Sequence, residues 1–148
     1  MRIALAADHA GYKLKDELAG WLSELGHDVT NLGTNGPESV DYPEYGAKLA
    51  RAVATGAADF GIAICGSGIG ISIAVNREPH CRCARVDEPI SATLAREHND
   101  SNVLALGARL IGSDMAKACV SAFLGTDFAG GRHQRRVDQL SHLMQDSD

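Results

Sequence analysis

The chain has no long apolar run, no paired-cysteine motif, no excess of positive charge and no nucleotide-binding signature. Each absence narrows its chemistry. No stretch is long enough to span a bilayer as a helix. The opening residues, Met1-Arg-Ile-Ala-Leu-Ala-Ala-Asp8, reach an acid after about six apolar positions, too few for a secretory signal. They read as a first strand, and a cytoplasmic protein is expected. With 14 Lys and Arg against 19 Asp and Glu, the formal net charge is −5, which argues against a general nucleic-acid binder. The 4 cysteines include no CxxC pair, and with no sign of secretion they do not read as a disulfide framework. The 6 histidines show no HxxxH spacing either, so no metal site is expected. The glycine cluster Gly66-Ser67-Gly68-Ile69-Gly70 lacks the GxGxxG spacing of dinucleotide sites, and no P-loop lysine follows it. No internal repeat, low-complexity stretch or linker interrupts the 148 residues, so one domain over 1–148 is the simplest expectation.

What is present is a regular alternation of strand and helix patterns. Strands are expected at Ile3–Ala7, Asp28–Leu32, Asp59–Cys65, Cys81–Val86 and Val103–Leu106. Between them fall helical patterns at Tyr12–Leu25, Tyr45–Thr55, Ile69–Val75, Ile90–Arg96 and Asp114–Leu124, with a last helix over Arg132–Met144. In the first helix Leu14, Leu18, Trp21, Leu22 and Leu25 make one face, and Gly26 is its stop. The alternation predicts an α/β fold: a five-stranded parallel sheet with helices on both faces, a three-layer αβα Rossmann-like sandwich, and an extra C-terminal helix. Right-handed crossovers bring all strand ends to one edge, where active residues collect. Asp8-His9, Asp41-Tyr42, Cys65–Gly70 and Asp87-Glu88 are the segments expected there.

Cys65 stands out. It ends the apolar run that begins at Phe60 and opens the glycine turn. Backbone N–H groups at such a turn attract anions, and a thiol beside them is expected to ionise more easily than a free one. Cys81, Cys83 and Cys119 lie in apolar or strand-like contexts and read as small core residues. His98 suits a proton carrier, and Asn99 an oxyanion donor, although both also fit a polar loop that stops a helix. Arg132 and Arg136 share a helix face and match phosphate geometry; Arg109 after the fifth strand is a third candidate. The basic cluster around them is otherwise a solvated helix face.

Five motifs in one order resemble the type B ribose-5-phosphate isomerases, within the wider family that includes the galactose-6-phosphate isomerase subunits. They are Ala7-Asp8-His9-Ala-Gly11, Asp41-Tyr42-Pro43, Ile64-Cys65-Gly66-Ser67-Gly68-Ile-Gly70-Ile-Ser72, Ala95-Arg-Glu-His98-Asn99-Asp100-Ser-Asn102-Val-Leu and Gly130-Gly131-Arg132-His133. The resemblance covers nearly the whole chain. It implies interconversion of ribose 5-phosphate and ribulose 5-phosphate with no metal or organic cofactor. It assigns Cys65 as the base between C1 and C2, and the amides of Gly66, Gly68, Ile69 and Gly70 as the enediolate hole. Ser67 keeps the hydroxyl that is often threonine in the family. Asp8 and His98 are both suited to ring opening. Tyr42 and Asn99 match sugar contacts, and His9, Arg109, Arg132 and Arg136 match phosphate contacts. Ser72 stands where relatives lacking the cysteine carry a catalytic glutamate, so the chain resembles the cysteine subtype. The family forms homodimers, sometimes tetramers, with sites built from two subunits. Two other readings stay open: another sugar phosphate, such as allose 6-phosphate or galactose 6-phosphate, and a non-catalytic sugar-phosphate-binding or redox-sensing module.

Overall fold

The computed structural model describes residues 1–143. The chain forms β1 (Arg2–Ala7), α1 (Tyr12–Glu24), β2 (Asp28–Asn31), α2 (Tyr42–Ala54), β3 (Phe60–Cys65), α3 (Ile69–Val75), β4 (Cys83–Arg85), α4 (Pro89–Asn99), β5 (Val103–Gly107), α5 (Ser113–Leu124) and α6 (Arg132–Leu140). The strands make a 5-stranded sheet in the order β2-β1-β3-β5-β4, parallel at every pairing. This is the αβα sandwich expected from the alternation, with α6 added at the end.

Side-chain alternation along the strands divides the core in two. Ile3, Leu5, Ile62, Ile64, Leu104 and Leu106 point to one face, under the apolar stripes of α1, α4 and α5. Ala4, Ala6, Ala63 and Ala105 point to the other, beneath Leu49 and Val53 of α2 and Ile71 and Val75 of α3. The alanine face leaves room for helices to come close. A methyl group on Gly46 of α2 would sit 2.8 Å from the Ala74 side chain of α3. Cys65 belongs to this small-residue face, so its side chain is directed to the side on which α2 and α3 lie.

The strand order sets the position of the site. From β1 the chain steps to β2 at one edge, then returns past β1 to β3. Crossovers on the two sides of β1 open a crevice at the carboxyl ends of β1 and β3. Asp8 follows β1 and Cys65 ends β3, so the crevice falls between them.

Several boundaries differ from the sequence expectation. Helix α2 begins at Tyr42 rather than Tyr45, because Pro43 sits in its first turn where no amide hydrogen is needed. Helix α4 runs to Asn99, beyond Arg96, and stops where Asp100 takes a left-handed conformation with φ of 46°. Strand β4 is only Cys83–Arg85; Cys81 lies before it, buried, while Cys83 is half-buried. Leu25 is exposed as the C-cap of α1 and does not join the Leu14–Leu18–Leu22 face. Helix α6 ends at Leu140, and Met144 lies outside the described residues. Among the described residues no helix is long and apolar enough to cross a membrane.

Candidate active site

The turn after β3 is fixed through its carbonyl oxygens. The Cys65 carbonyl accepts from Ala108 N–H at 2.9 Å, and the Gly66 carbonyl from Arg109 N–H at 3.0 Å. The Ser67 carbonyl accepts from Arg85 Nε at 2.9 Å. A trans peptide points its N–H opposite to its C=O. At Gly68 the consequence is visible: its N–H donates to Cys65 Sγ at 3.2 Å. Glycine is required there, since Gly68 has φ of 76° and a methyl group would lie 2.9 Å from the Leu106 carbonyl carbon. Ile69 N–H is capped by Ser67 Oγ at 3.2 Å. With 7 residues, α3 has fewer than two turns, so the turn's own amides rather than a long helix dipole supply its positive end.

A cavity of about 320 Å³ opens over this turn, lined by Asp8, Tyr42, Cys65, Gly66, Ser67, Gly70 and Arg109 together with Leu110. Asp8 is buried, and its Oδ1 accepts from the N–H groups of Ala10 at 3.0 Å and Gly11 at 3.2 Å. The Tyr42 ring lies against Gly70, where an added methyl group would approach Tyr42 Cζ to 2.7 Å. Arg109 packs likewise on Gly66. His9 accepts from Val40 N–H through Nδ1 at 3.2 Å, so in the neutral ring Nε2 carries the proton and is the donor.

His98, Asn99, Arg132 and Arg136 do not line this cavity. They gather where the last turn of α4 meets the start of α6. The His98 and His133 rings stack at 4.5 Å between centroids, tilted by only 15°. Burial, then the charges of His98, Arg132 and Arg136, push the His133 imidazole below its ordinary range. Asp100 closes α4 between two guanidinium groups, Arg96 Nη1 at 2.9 Å and Arg82 Nη2 at 3.5 Å. Arg96 is buried and also donates to the carbonyls of Ser101 at 2.7 Å and Thr126 at 3.2 Å. It thereby joins the end of α4 to the segment that leads into α6. Asn99 lines a separate hollow of about 370 Å³ with Asn76, Cys81, Arg82 and Cys83.

Cys81 and Cys119 sit in the core as expected, while Cys83 is half-buried against its rim. Burial raises the thiols of Cys81 and Cys119 to about 11, and that of Cys83 further. Asp87 and Glu88, expected at the active edge, serve other ends. Glu88 caps α4 by accepting from the N–H groups of Ile90 at 2.6 Å and Ser91 at 2.9 Å. Asp87 pairs with Arg85 at 2.8 Å. Arg85 is the residue that the sequence reading passed over. A charged residue inside a short strand of a parallel sheet was the available signal. Among the described residues there is no group of three or more His, Cys, Asp or Glu placed to hold a metal ion.

Residues 3–140 match the family model described as ribose/galactose isomerase. The chain belongs to this family. It is 47% identical over 144 residues to ribose-5-phosphate isomerase B of Escherichia coli K12, covering 97% of both chains. The fold superposes on a ribose-5-phosphate isomerase B from Clostridium thermocellum with a TM-score of 0.95 at 48% identity, covering 97% of each chain. A ribose 5-phosphate isomerase from Thermotoga maritima matches with a TM-score of 0.94 at 45% identity, over 95% of this chain and 97% of that one. In this chain the family's motifs form two assemblies. Asp8, Tyr42, Arg109 and the Cys65 turn make one; His98, Arg132, His133 and Arg136 make the other.

Proposed function

We propose that the chain interconverts D-ribose 5-phosphate and D-ribulose 5-phosphate through a cis-enediolate, with Cys65 as the general base. The observation that carries the reading is the Gly68 N–H aimed at Cys65 Sγ, at 3.2 Å, in a cavity that also holds Asp8 and Arg109. In the forward direction the Cys65 thiolate takes the proton from C2 of the open-chain aldose. The C–H electron pair becomes the C1–C2 double bond, and the carbonyl pair moves onto O1. The thiol then returns its proton to C1 as the ketose carbonyl forms at C2, while the O2 proton passes to O1. The amides of Gly66 and Gly70, with the Ser67 hydroxyl, stabilise the enediolate charge, joined by those of Gly68 and Ile69 as these turn from Cys65 Sγ and Ser67 Oγ toward the substrate oxygens. One well-aimed oxyanion donor contributes roughly 3 kcal/mol to such a barrier. Asp8 and His98 are the acid–base groups for ring opening. Tyr42 and Asn99 contact the sugar, and His9, Arg109, Arg132 and Arg136 bind the phosphate. None of these steps calls on a metal or organic cofactor.

The reading includes a homodimer in which each site takes groups from two copies. Two features support it. His98, Asn99, Arg132 and Arg136 are absent from the lining of the Cys65 cavity. Helix α3, which starts at the cavity, presents Ile69 and Ile73 one turn apart with about half of each exposed, 51% and 50%. A second copy would cover those isoleucines and bring its own α4–α6 cluster to the phosphate.

The test of substrate is a comparison of kcat/KM for ribose 5-phosphate, allose 6-phosphate and galactose 6-phosphate. Ribose 5-phosphate is expected to be preferred, and a hexose phosphate turned over faster would move the assignment within the family.

A further inference from the structure

We propose that Arg85 is a positioning residue that acts on Cys65 through a single peptide group, favouring its thiolate. The inference rests on Cys65 being the base. Arg85 ends β4, the short edge strand, and lies beside Ala105 of β5. Its Nε donates to the Ser67 carbonyl at 2.9 Å, while Nη1 is held by Asp87 at 2.8 Å. The Ser67 carbonyl and the Gly68 N–H are the two ends of one planar amide. The second end donates to Cys65 Sγ at 3.2 Å. Guanidinium, amide and sulfur are thus in series. Linked hydrogen bonds polarise one another, and a cation on an amide oxygen makes the amide hydrogen a stronger donor. The benefit falls on the thiolate, because a bond to an ionised acceptor is about twice as strong as one to a neutral group.

Arg85 is not the main tie between the turn and β5. The carbonyls of Cys65 and Gly66 are already tied to Ala108 and Arg109 by backbone bonds. Close approach between Gly107 and Ser67, where a methyl group on Gly107 would meet the Ser67 carbonyl at 2.7 Å, fixes the turn against β5. Arg85 puts a positive charge directly on the Ser67 carbonyl, whereas the other cation at the turn, Arg109, packs on Gly66. The ionisable groups around the same cavity are Asp8 after β1, Tyr42 on α2 and Arg109 after β5; α3 contributes none. All of them are unchanged in Arg85 variants.

The test is iodoacetamide alkylation of Cys65 as a function of pH, resolved by peptide mass spectrometry. It uses the full chain and its Arg85→Ala, Arg85→Gln and Arg85→Lys variants. Glutamine keeps an N–H donor for the Ser67 carbonyl but no charge, whereas lysine keeps both. Alkylation at neutral pH is expected to fall about three- to tenfold in the alanine and glutamine variants. That is a rise in midpoint of about half to one pH unit, with lysine close to the parent. An unmoved midpoint in alanine and glutamine overturns the proposal, and so does full restoration by glutamine. If the alanine variant does not fold, glutamine against lysine decides alone. A midpoint that moves while the acidic limb of kcat/KM stays in place supports the relay and instead refutes Cys65 as the base.

Discussion

The four cysteines of the chain sit in different surroundings. Cys81 and Cys119 have thiols raised to about 11 by burial, and the Cys83 thiol is raised further for the same reason. Cys65 is also buried, but it lines a cavity and its sulfur accepts an N–H. Because the thiolate is the reacting form, alkylation near pH 7.5 is expected to mark Cys65 well before the others. Mass spectrometry of a time course checks this, and equal labelling of Cys81 would contradict the environment argued for it. The Gly68→Ala variant tests the turn. It places a side chain at positive φ, costing about 1–2 kcal/mol before any clash with Leu106. Thermal unfolding should report that loss, and the Cys65 amide bond should weaken with it. The Arg136→Ala change is expected to raise KM more than it lowers kcat, since phosphate binding is largely uniform between ground and transition states. Unchanged KM in steady-state kinetics would remove Arg136 from the phosphate site.

At the scale of elements, the join between α4 and α6 has the clearest electrostatics. Arg96 is buried, pairs with Asp100 at 2.9 Å, and lies 4.8 Å from the Phe60 ring centroid. Asp100 is one third exposed and keeps Arg82 as a partner, so the main loss on removing Arg96 is the donor to the Ser101 and Thr126 carbonyls, where an acceptor left unpaired in the interior costs about 1–3 kcal/mol. Arg96→Met should lower the unfolding midpoint and loosen the stacked His98–His133 pair, read by chemical denaturation and imidazole NMR. His133 has a direction in pH. Its folded-state titration is depressed, so the folded state favours the neutral ring. The stabilisation is present above the ordinary histidine value of about 6.5 and is lost as pH falls below it. The His133 midpoint by NMR should therefore lie below that of an unfolded histidine. This region also shows where sequence patterns stop being informative. Glu97-His98-Asn99 is polar, so it reads as a loop, yet it completes the last turn of α4 because the stop signal is Asp100 in the left-handed region. Tyr42 reads as a loop residue for the mirror reason: α2 starts on Tyr42-Pro43, ahead of its apolar stripe. The five strands and the motif-bearing ends were legible because hydrophobic period and glycine turns are local signals. Strand order was not, since the return past β1 is a property of packing rather than of any segment.

Across the whole molecule, one sheet edge gathers Asp8, Cys65 and Arg109 from β1, β3 and β5. The α4–α6 cluster contributes nothing to the lining of that cavity. A site shared between two copies predicts complementation. Cys65→Ala and Arg136→Ala subunits, each impaired alone, would form mixed dimers in which one of two sites is intact. Regained turnover on mixing and refolding is the expected outcome; no gain, with mixed dimers demonstrated, would place every site within one chain. Arg85 was not legible as a site residue because its contact with the turn passes through a carbonyl on a neighbouring strand connection, a relation that no motif records. The central claim is proton transfer by Cys65. It is tested most directly by NMR of ribose 5-phosphate incubated in D₂O with the parent chain and with Cys65→Ala. The account predicts ketose formation with deuterium exchange at the reacting carbons for the parent, and a loss of about 10²–10⁴-fold in the variant. Near-normal exchange and turnover by Cys65→Ala would contradict it.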